Sequence, residues 1–268
     1  MKRQNCVIDV HTHAFPDHLA GRAMAALEEG ASVKAILDGT IAALLKSMDE
    51  AGIEISVLSS IATKPKQFDA ILSWSEQIRS ERLIVFPSVH PAHPEWADQI
   101  RRIKAAGYGG LKLHPYYQEF EIDDEQRLFP IYELVRELDL VLLMHTGFDI
   151  AFPRTRIADP VRTARVIDAF PGLKLIASHL GAWEDWDEVE RRLVGRDVYI
   201  DVSYSFEYIG TEQARRIIAA HPRERMLFGT DSPWGDPDFV VQSIRGLRLD
   251  AEHERMILRD NAARLLGL

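Results

Sequence analysis

Short apolar, β-branched runs recur along the whole chain, at residues 6–10, 55–61, 83–89, 109–114, 140–145, 173–179, 198–204 and 226–231. Continuous apolar runs of this length are the pattern of parallel strands buried on both faces. Amphipathic stretches lie between them. Residues 40–51 place Ile41, Leu44, Leu45 and Met48 on one helical face. Further helices are predicted at 94–106, 126–138, 159–170, 185–194, 211–220, 239–247 and 252–266. Asp38, Asp159 and Thr211 are the expected N-caps, and Pro160 suits a first helical position. Gly52, Gly107 and Gly195 stand where helices should end. Eight strand–helix units predict a closed (β/α)8 barrel of the α/β class rather than an open sheet. One stretch is irregular, residues 14–39 after the first strand. On a barrel it is a loop at the catalytic face, and it is read as a substrate lid or wall.

Composition narrows the picture. The 268 residues suit one barrel, and no linker-like segment breaks them, so a single domain over 1–268 is expected. A net charge of −9 argues against nucleic acid or an anionic membrane as partner. A small-molecule substrate, even an anionic one, remains compatible, and a homo-oligomer is left open. No apolar run approaches the length of a membrane span. Behind Lys2 and Arg3 the apolar run Cys6-Val7-Ile8 is too short for a signal-peptide core. Cys6 is the sole cysteine, which excludes an intramolecular disulfide and fits a cytoplasmic location.

Metal-binding side chains stand at the ends of the predicted strands. The first runs into Asp9-Val10-His11-Thr12-His13, the fourth ends Lys112-Leu113-His114, the fifth Met144-His145, the sixth Ser178-His179 and the eighth Thr230-Asp231. Strand alternation puts His11 and His13 on one face, about 7 Å apart along the strand. Two imidazoles so placed can share an ion at about 2.0–2.1 Å each. A His-x-His pair alone is a weak signal. Its weight comes from position, because all these residues lie at the C-terminal strand ends, where active sites of this fold occur.

Four segments, Ile8-Asp9-Val10-His11-Thr12-His13, Gly110-Leu111-Lys112-Leu113-His114-Pro115, Ser178-His179-Leu180-Gly181 and Phe228-Gly229-Thr230-Asp231-Ser232-Pro233, resemble the amidohydrolase superfamily. More narrowly they resemble its amidohydrolase-2 group, which includes aminocarboxymuconate-semialdehyde decarboxylase. The closing Asn261-Ala262-Ala263-Arg264-Leu265-Leu266-Gly267-Leu268 is similar too. The resemblance implies a metal held by His11, His13, His145 and Asp231, with His179 doing proton work. Three nitrogens and one oxygen suit Zn2+, or another divalent ion such as Mn2+, at one per chain. Asp231 can also serve as a base. In some superfamily members a carboxylated lysine at the position of Lys112 bridges two metals; the favoured reading here is a core lysine paired with Asp201 or Asp9. Asp9 is read as an orienting or core residue. His114 lines the pocket or faces solvent. Arg154 and Arg156 can bind a substrate carboxylate or lie in a solvated loop. Phe148, Phe152, Trp183, Trp186 and Trp234 are candidates for an apolar pocket wall.

No Gly-x-Ser-x-Gly elbow, phosphate-binding loop or Cys-x-x-Cys pair occurs. The first expectation is therefore a metal-dependent hydrolase acting on a C–N or C–O bond of an amide, lactone or ester. The alternative is non-oxidative decarboxylation of an aromatic or unsaturated carboxylic acid. A metal-free ligand-binding barrel ranks last.

Overall fold

The computed structural model describes residues 6–268, so Lys2 and Arg3 lie outside the described residues. Eight parallel strands follow in chain order: β1 Val7–Thr12, β2 Ile53–Ser59, β3 Leu83–Phe86, β4 Gly110–Leu113, β5 Val141–Met144, β6 Lys174–Ala177, β7 Tyr199–Asp201 and β8 Met226–Leu227. β1, β2 and β3 pair in sequence, as do β4 through β8. Backbone hydrogen bonds join the two runs at both seams. Lys112 N donates to Pro87 O at 2.9 Å, and Val10 N donates to Phe228 O at 2.9 Å. The second seam continues past the regular strands, with Asp231 N on His11 O at 2.8 Å and His13 N on Ser232 O at 2.6 Å. The strands thus close into the expected barrel, and the closure itself carries Asp231 beside His11 and His13.

Helices cover the outside: α1 Asp17–Ala31, α2 Ile41–Ala51, α3 Phe68–Ile78, α4 Trp96–Ala105, α5 Pro115–Gln118, α6 Phe129–Glu137, α7 Pro160–Ala169, α8 Trp186–Arg192, α9 Thr211–Ala220, α10 Pro237–Gly246, α11 Ala251–Arg255 and α12 Asn261–Leu266. Among the described residues none is long and apolar enough to cross a membrane. Three helices were not expected: α1, α3 and the single turn α5 after β4. The supposed loop 14–39 is mostly α1, whose sequence contains Gly21 and Gly30 and buries only Ala20 and Met24, too thin an apolar stripe to read. α3 buries Phe68 and Ser75. The Ser75 hydroxyl satisfies itself on Ile71 O at 2.8 Å, so a polar residue occupies a core position.

Caps differ in detail. Asp159 caps α7 by accepting from Val161 N, as expected. α2 is capped by Thr40 rather than Asp38, whose carboxylate instead accepts from the Thr40 amide at 2.9 Å. Thr211 is the first residue of α9, behind Gly210. The closing helix is broken by a π-helical stretch, Met256–Asp260, which lets Ile257 O accept from Phe228 N at 3.0 Å. Asn261 donates to Met226 O at 2.8 Å and Arg223 O at 2.7 Å, so this helix covers the N-terminal strand ends. Cys6 is buried there, at the end remote from the histidines.

Candidate active site

The site is built at the C-terminal strand ends. His11 Nε2, His13 Nε2 and Asp231 Oδ1 form a triangle with sides of 3.2, 3.3 and 3.2 Å. Ligand atoms 2.0–2.1 Å from a tetrahedral ion stand roughly 3.3–3.4 Å apart, so the spacing suits a divalent metal. Each imidazole is oriented from behind. His11 Nδ1 faces Asp201 Oδ2 at 3.1 Å, and His13 Nδ1 donates to Ser59 O at 2.8 Å. Both outer partners are acceptors, so the proton of each ring sits on Nδ1 and the Nε2 lone pair points inward.

His145 and His179 extend this arrangement. His145 Nε2 donates to Phe148 O at 3.0 Å, and His179 Nδ1 donates to Ser203 O at 3.0 Å. The remaining nitrogens, His145 Nδ1 and His179 Nε2, oppose each other at 3.0 Å. Two outward-donating neutral rings would set lone pair against lone pair, an arrangement that calls for a cation or a proton between them. His145, expected as a ligand with His11, His13 and Asp231, falls outside that group and belongs to a second one with His114 and Asp149, whose ligand atoms lie within 4.8 Å of one another.

The supporting carboxylates come from distant segments. Asp201 Oδ1 accepts from the amides of His179 at 3.1 Å and Ser203 at 3.0 Å. Asp9 accepts from His11 N at 3.0 Å, Thr230 N at 3.1 Å and the Thr230 hydroxyl at 2.6 Å, which welds β1 to the segment leading into Asp231. Asp9 therefore orients rather than ligates. With both carboxylates engaged, Lys112 pairs with neither; its fully buried ammonium lies 3.0 Å from His11 Nε2. Gln118, at the end of α5, holds the rim at three points. It accepts from His114 N at 2.8 Å and donates to Ala62 O at 3.0 Å and Val89 O at 2.8 Å. Asp149 and Gln118 escaped the sequence reading. Asp149, four residues beyond a strand-end histidine, was the signal available.

The other candidates are placed as follows. Arg154 pairs with Glu184 and lies over the Phe148 ring at 4.3 Å, while Arg156 grips Asp185 at 2.8 and 3.1 Å. Both arginines tie the loop after β5 to the loop after β6. Trp186 donates its indole N–H to His179 O at 3.1 Å. Trp183 is buried with no partner for its own indole nitrogen. Trp234 is half-buried, its amide on Asp231 O at 3.0 Å. Tyr117 and Phe152 meet edge to face at 4.9 Å, and Trp183, Tyr204 and Tyr208 form a second aromatic group. His179, Tyr204 and Asp231 all hold positive φ, of 59°, 46° and 61°. Left-handed non-glycine residues cost on the order of 1–3 kcal/mol each and gather at functional sites.

The amidohydrolase model matches residues 8–268. The chain belongs to the amidohydrolase family. Among curated proteins, a dihydroorotase of Aliivibrio salmonicida (strain LFI1238) is 29% identical over 122 residues, covering 41% of this chain and 36% of that protein. The match thus spans about a third of the relative's length. Among solved structures, a 2,6-dihydroxybenzoate decarboxylase complexed with 2,6-dihydroxybenzoate superposes with a TM-score of 0.76 at 20% identity, over 99% of this chain and 100% of the other. A dihydroxybenzoic acid decarboxylase from Polaromonas sp. JS666, with bound manganese and 2-nitroresorcinol, gives 0.75 at 19% identity, over 99% and 98%. These likenesses establish the barrel fold.

The electrostatics of the site follow from burial. Desolvation pushes the imidazoles of His11, His114 and His145 well below the usual histidine range, which keeps them neutral and able to ligate. Burial lowers the Lys112 ammonium to about 8 and raises Asp9 to about 7.

Proposed function

We propose that the chain is a metal-dependent enzyme that decarboxylates a small aromatic carboxylic acid without an external oxidant, working as a single barrel domain. The observation that carries this reading is the packing of flat aromatic side chains against the strand-end histidines His114 and His145. Tyr117 meets His114 at 4.8 Å and Phe152 at 4.9 Å, and Tyr116 meets His145 at 5.9 Å. A wall of that kind suits a planar ring. The reading is supported by the similar decarboxylase structures with 2,6-dihydroxybenzoate or manganese and a nitroresorcinol. It reverses the order of the two expectations from sequence.

His11, His13 and Asp231 would hold a divalent ion, with His145 Nδ1 facing the same chamber. When bound, the ion supplies Lewis-acid polarisation of substrate oxygens and a template for orientation. Lys112, a buried cation without a carboxylate partner, offsets the charge of an anionic substrate. As the C–C bond breaks and carbon dioxide departs, the electron pair stays on the ring carbon and must take up a proton. His179 would hold and pass that proton at Nε2, its Nδ1 being engaged by Ser203 O.

A second reading, hydrolysis of a cyclic amide, is favoured by the partial dihydroorotase match. It uses the same ligands, with His179 donating to the leaving nitrogen. One experiment separates the two. Protein loaded with Zn2+ or Mn2+ is incubated with 2,6-dihydroxybenzoate and with dihydroorotate. Carbon dioxide release from the first supports decarboxylation; ring opening of the second alone overturns it.

A further inference from the structure

At the rim, His114 Nδ1 is buried and has no hydrogen-bond partner. The rest of the ring is held from every side. Its Nε2 lies 3.3 Å from Asp149 Oδ2, with side-chain exposures of 6% and 10%. A carboxylate only accepts, so Nε2 carries the proton and Nδ1 presents a bare lone pair. Asp149 is itself fixed, its other oxygen accepting from Ala151 N at 2.8 Å. The His114 amide is held by Gln118 Oε1 at 2.8 Å. The ring stacks on His145 at 4.1 Å and 18°, and Tyr117 meets its face at 4.8 Å. A flip of the ring would carry Nε2 away from Asp149.

The titratable groups near this ring are Lys112, His13, His179 and Asp231, besides Asp149 on its Nε2 side. Buried acceptors are nearly always paired in folded proteins. This one belongs to a ring stacked on His145 within the group His114, His145 and Asp149, and it is held in a single tautomer.

We propose that His114 Nδ1 is a substrate-recognition acceptor, set in that tautomer by Asp149, and that the substrate presents to it a hydroxyl or a ring N–H. His114 thereby selects substrates carrying a hydrogen-bond donor near the reacting group. Asp149 is a positioning residue, acting through His114. The inference deepens the functional reading above, since it specifies the substrate class of the same chamber, and it stands or falls separately from the reaction type.

The test is nitrogen NMR of the zinc-loaded full chain with labelled histidines, the His114 signals being assigned by their loss in His114→Phe or, if that variant misfolds, His114→Gln. Without ligand, His114 is expected to be protonated at Nε2 and bare at Nδ1, and Asp149→Leu should mix the two tautomers. The probes are 2,6-dihydroxybenzoate, 2,6-dimethoxybenzoate and dihydroorotate. A probe with a donor should shift the Nδ1 signal. The dimethoxy compound should bind wild type about tenfold more weakly than the dihydroxy one, the effect of one hydrogen bond, and the difference should collapse in the His114 variant. Protonated Nδ1 in the free protein, an unmoved Nδ1 signal with dihydroxybenzoate bound, or unchanged discrimination in the variant overturns the inference. So does failure of all three probes to bind. If dihydroorotate alone binds and moves Nδ1, the aromatic-acid reading falls and the subsite stands. If dihydroxybenzoate is decarboxylated while Nδ1 stays unmoved, the reading stands and the subsite falls.

Discussion

Asp201 Oδ2 lies 3.1 Å from Nδ1 of His11, joining the end of β7 to the end of β1 past the intervening β8. This contact sets the His11 tautomer and turns Nε2 toward His13 and Asp231. Carboxylates in that position typically account for 10–100-fold in metal affinity. Asp201→Ala should therefore weaken divalent-ion binding by about that factor, measured by competition with a chromophoric chelator. Wild-type affinity in a folded variant would remove Asp201 from the site.

His11→Ala and His13→Ala together should abolish metal retention, since they remove two corners of the triangle. Elemental analysis of purified wild type should give one divalent ion per chain. Lys112→Met should keep that stoichiometry, because the triangle does not include the lysine. Two ions in wild type, and fewer in the Lys112 variant, would assign the lysine to a metal bridge.

His179→Ala should leave metal content near wild type while turnover falls by roughly 10²–10⁴-fold, the size of general acid–base help. Metal analysis beside the rate decides it. Loss of the ion would place His179 in the ligand set with His145, whose Nδ1 it faces at 3.0 Å.

Gly147 has φ +91°, and a Cβ built there would stand 2.0 Å from Trp183 N. The main chains of the loops after β5 and β6 run in contact, with Trp183 N on Thr146 O at 2.9 Å. Gly147→Ala should destabilise the fold by roughly 2–4 kcal/mol, combining overpacking with left-handed strain. Chemical denaturation checks it. Gly52, where an added Cβ meets nothing within 4 Å, should show only the smaller conformational effect.

His221 is buried, and its Nε2 donates to Val198 O at 2.9 Å while Nδ1 has no partner. Burial lowers its affinity for protons in the folded state. The unfolded chain takes up that proton near the usual histidine value of about 6.5. The stabilising contribution is present above this value and is lost as pH falls below it. Melting measured at pH 7 and pH 5 should show a shallower acid loss for His221→Phe than for wild type. Equal slopes would mean that His221 does not titrate on unfolding.

Much of the architecture is written locally. Eight runs of buried apolar residues need both faces covered, and that requirement alone dictates parallel strands alternating with helices. The same alternation places His11, His13, His145, His179 and Asp231 at one end of the barrel. α1 and α3 were hidden because their buried faces are thin or polar, as Ala20, Met24 and Ser75 illustrate. The arginine pair after β5 looked available for a substrate carboxylate, yet Glu184 and Asp185 on the next loop occupy both.

What the chain encodes by itself is which residues carry chemistry and at which end of each strand they stand, because strand period and burial act over a few residues. Which atom of each residue faces the chamber was decided only by the closed barrel. The tautomers of His11, His13, His145 and His179 depend on Asp201, Ser59 O, Phe148 O and Ser203 O. Three of those acceptors are carbonyls, which every residue possesses and no sequence pattern distinguishes. Asp201 meets His11 across 190 residues of chain, a distance that only closure of the sheet removes. Hydrogen-bond direction is a property of three-dimensional neighbours, so the line between a ligand, a proton carrier and a recognition group emerged with the fold.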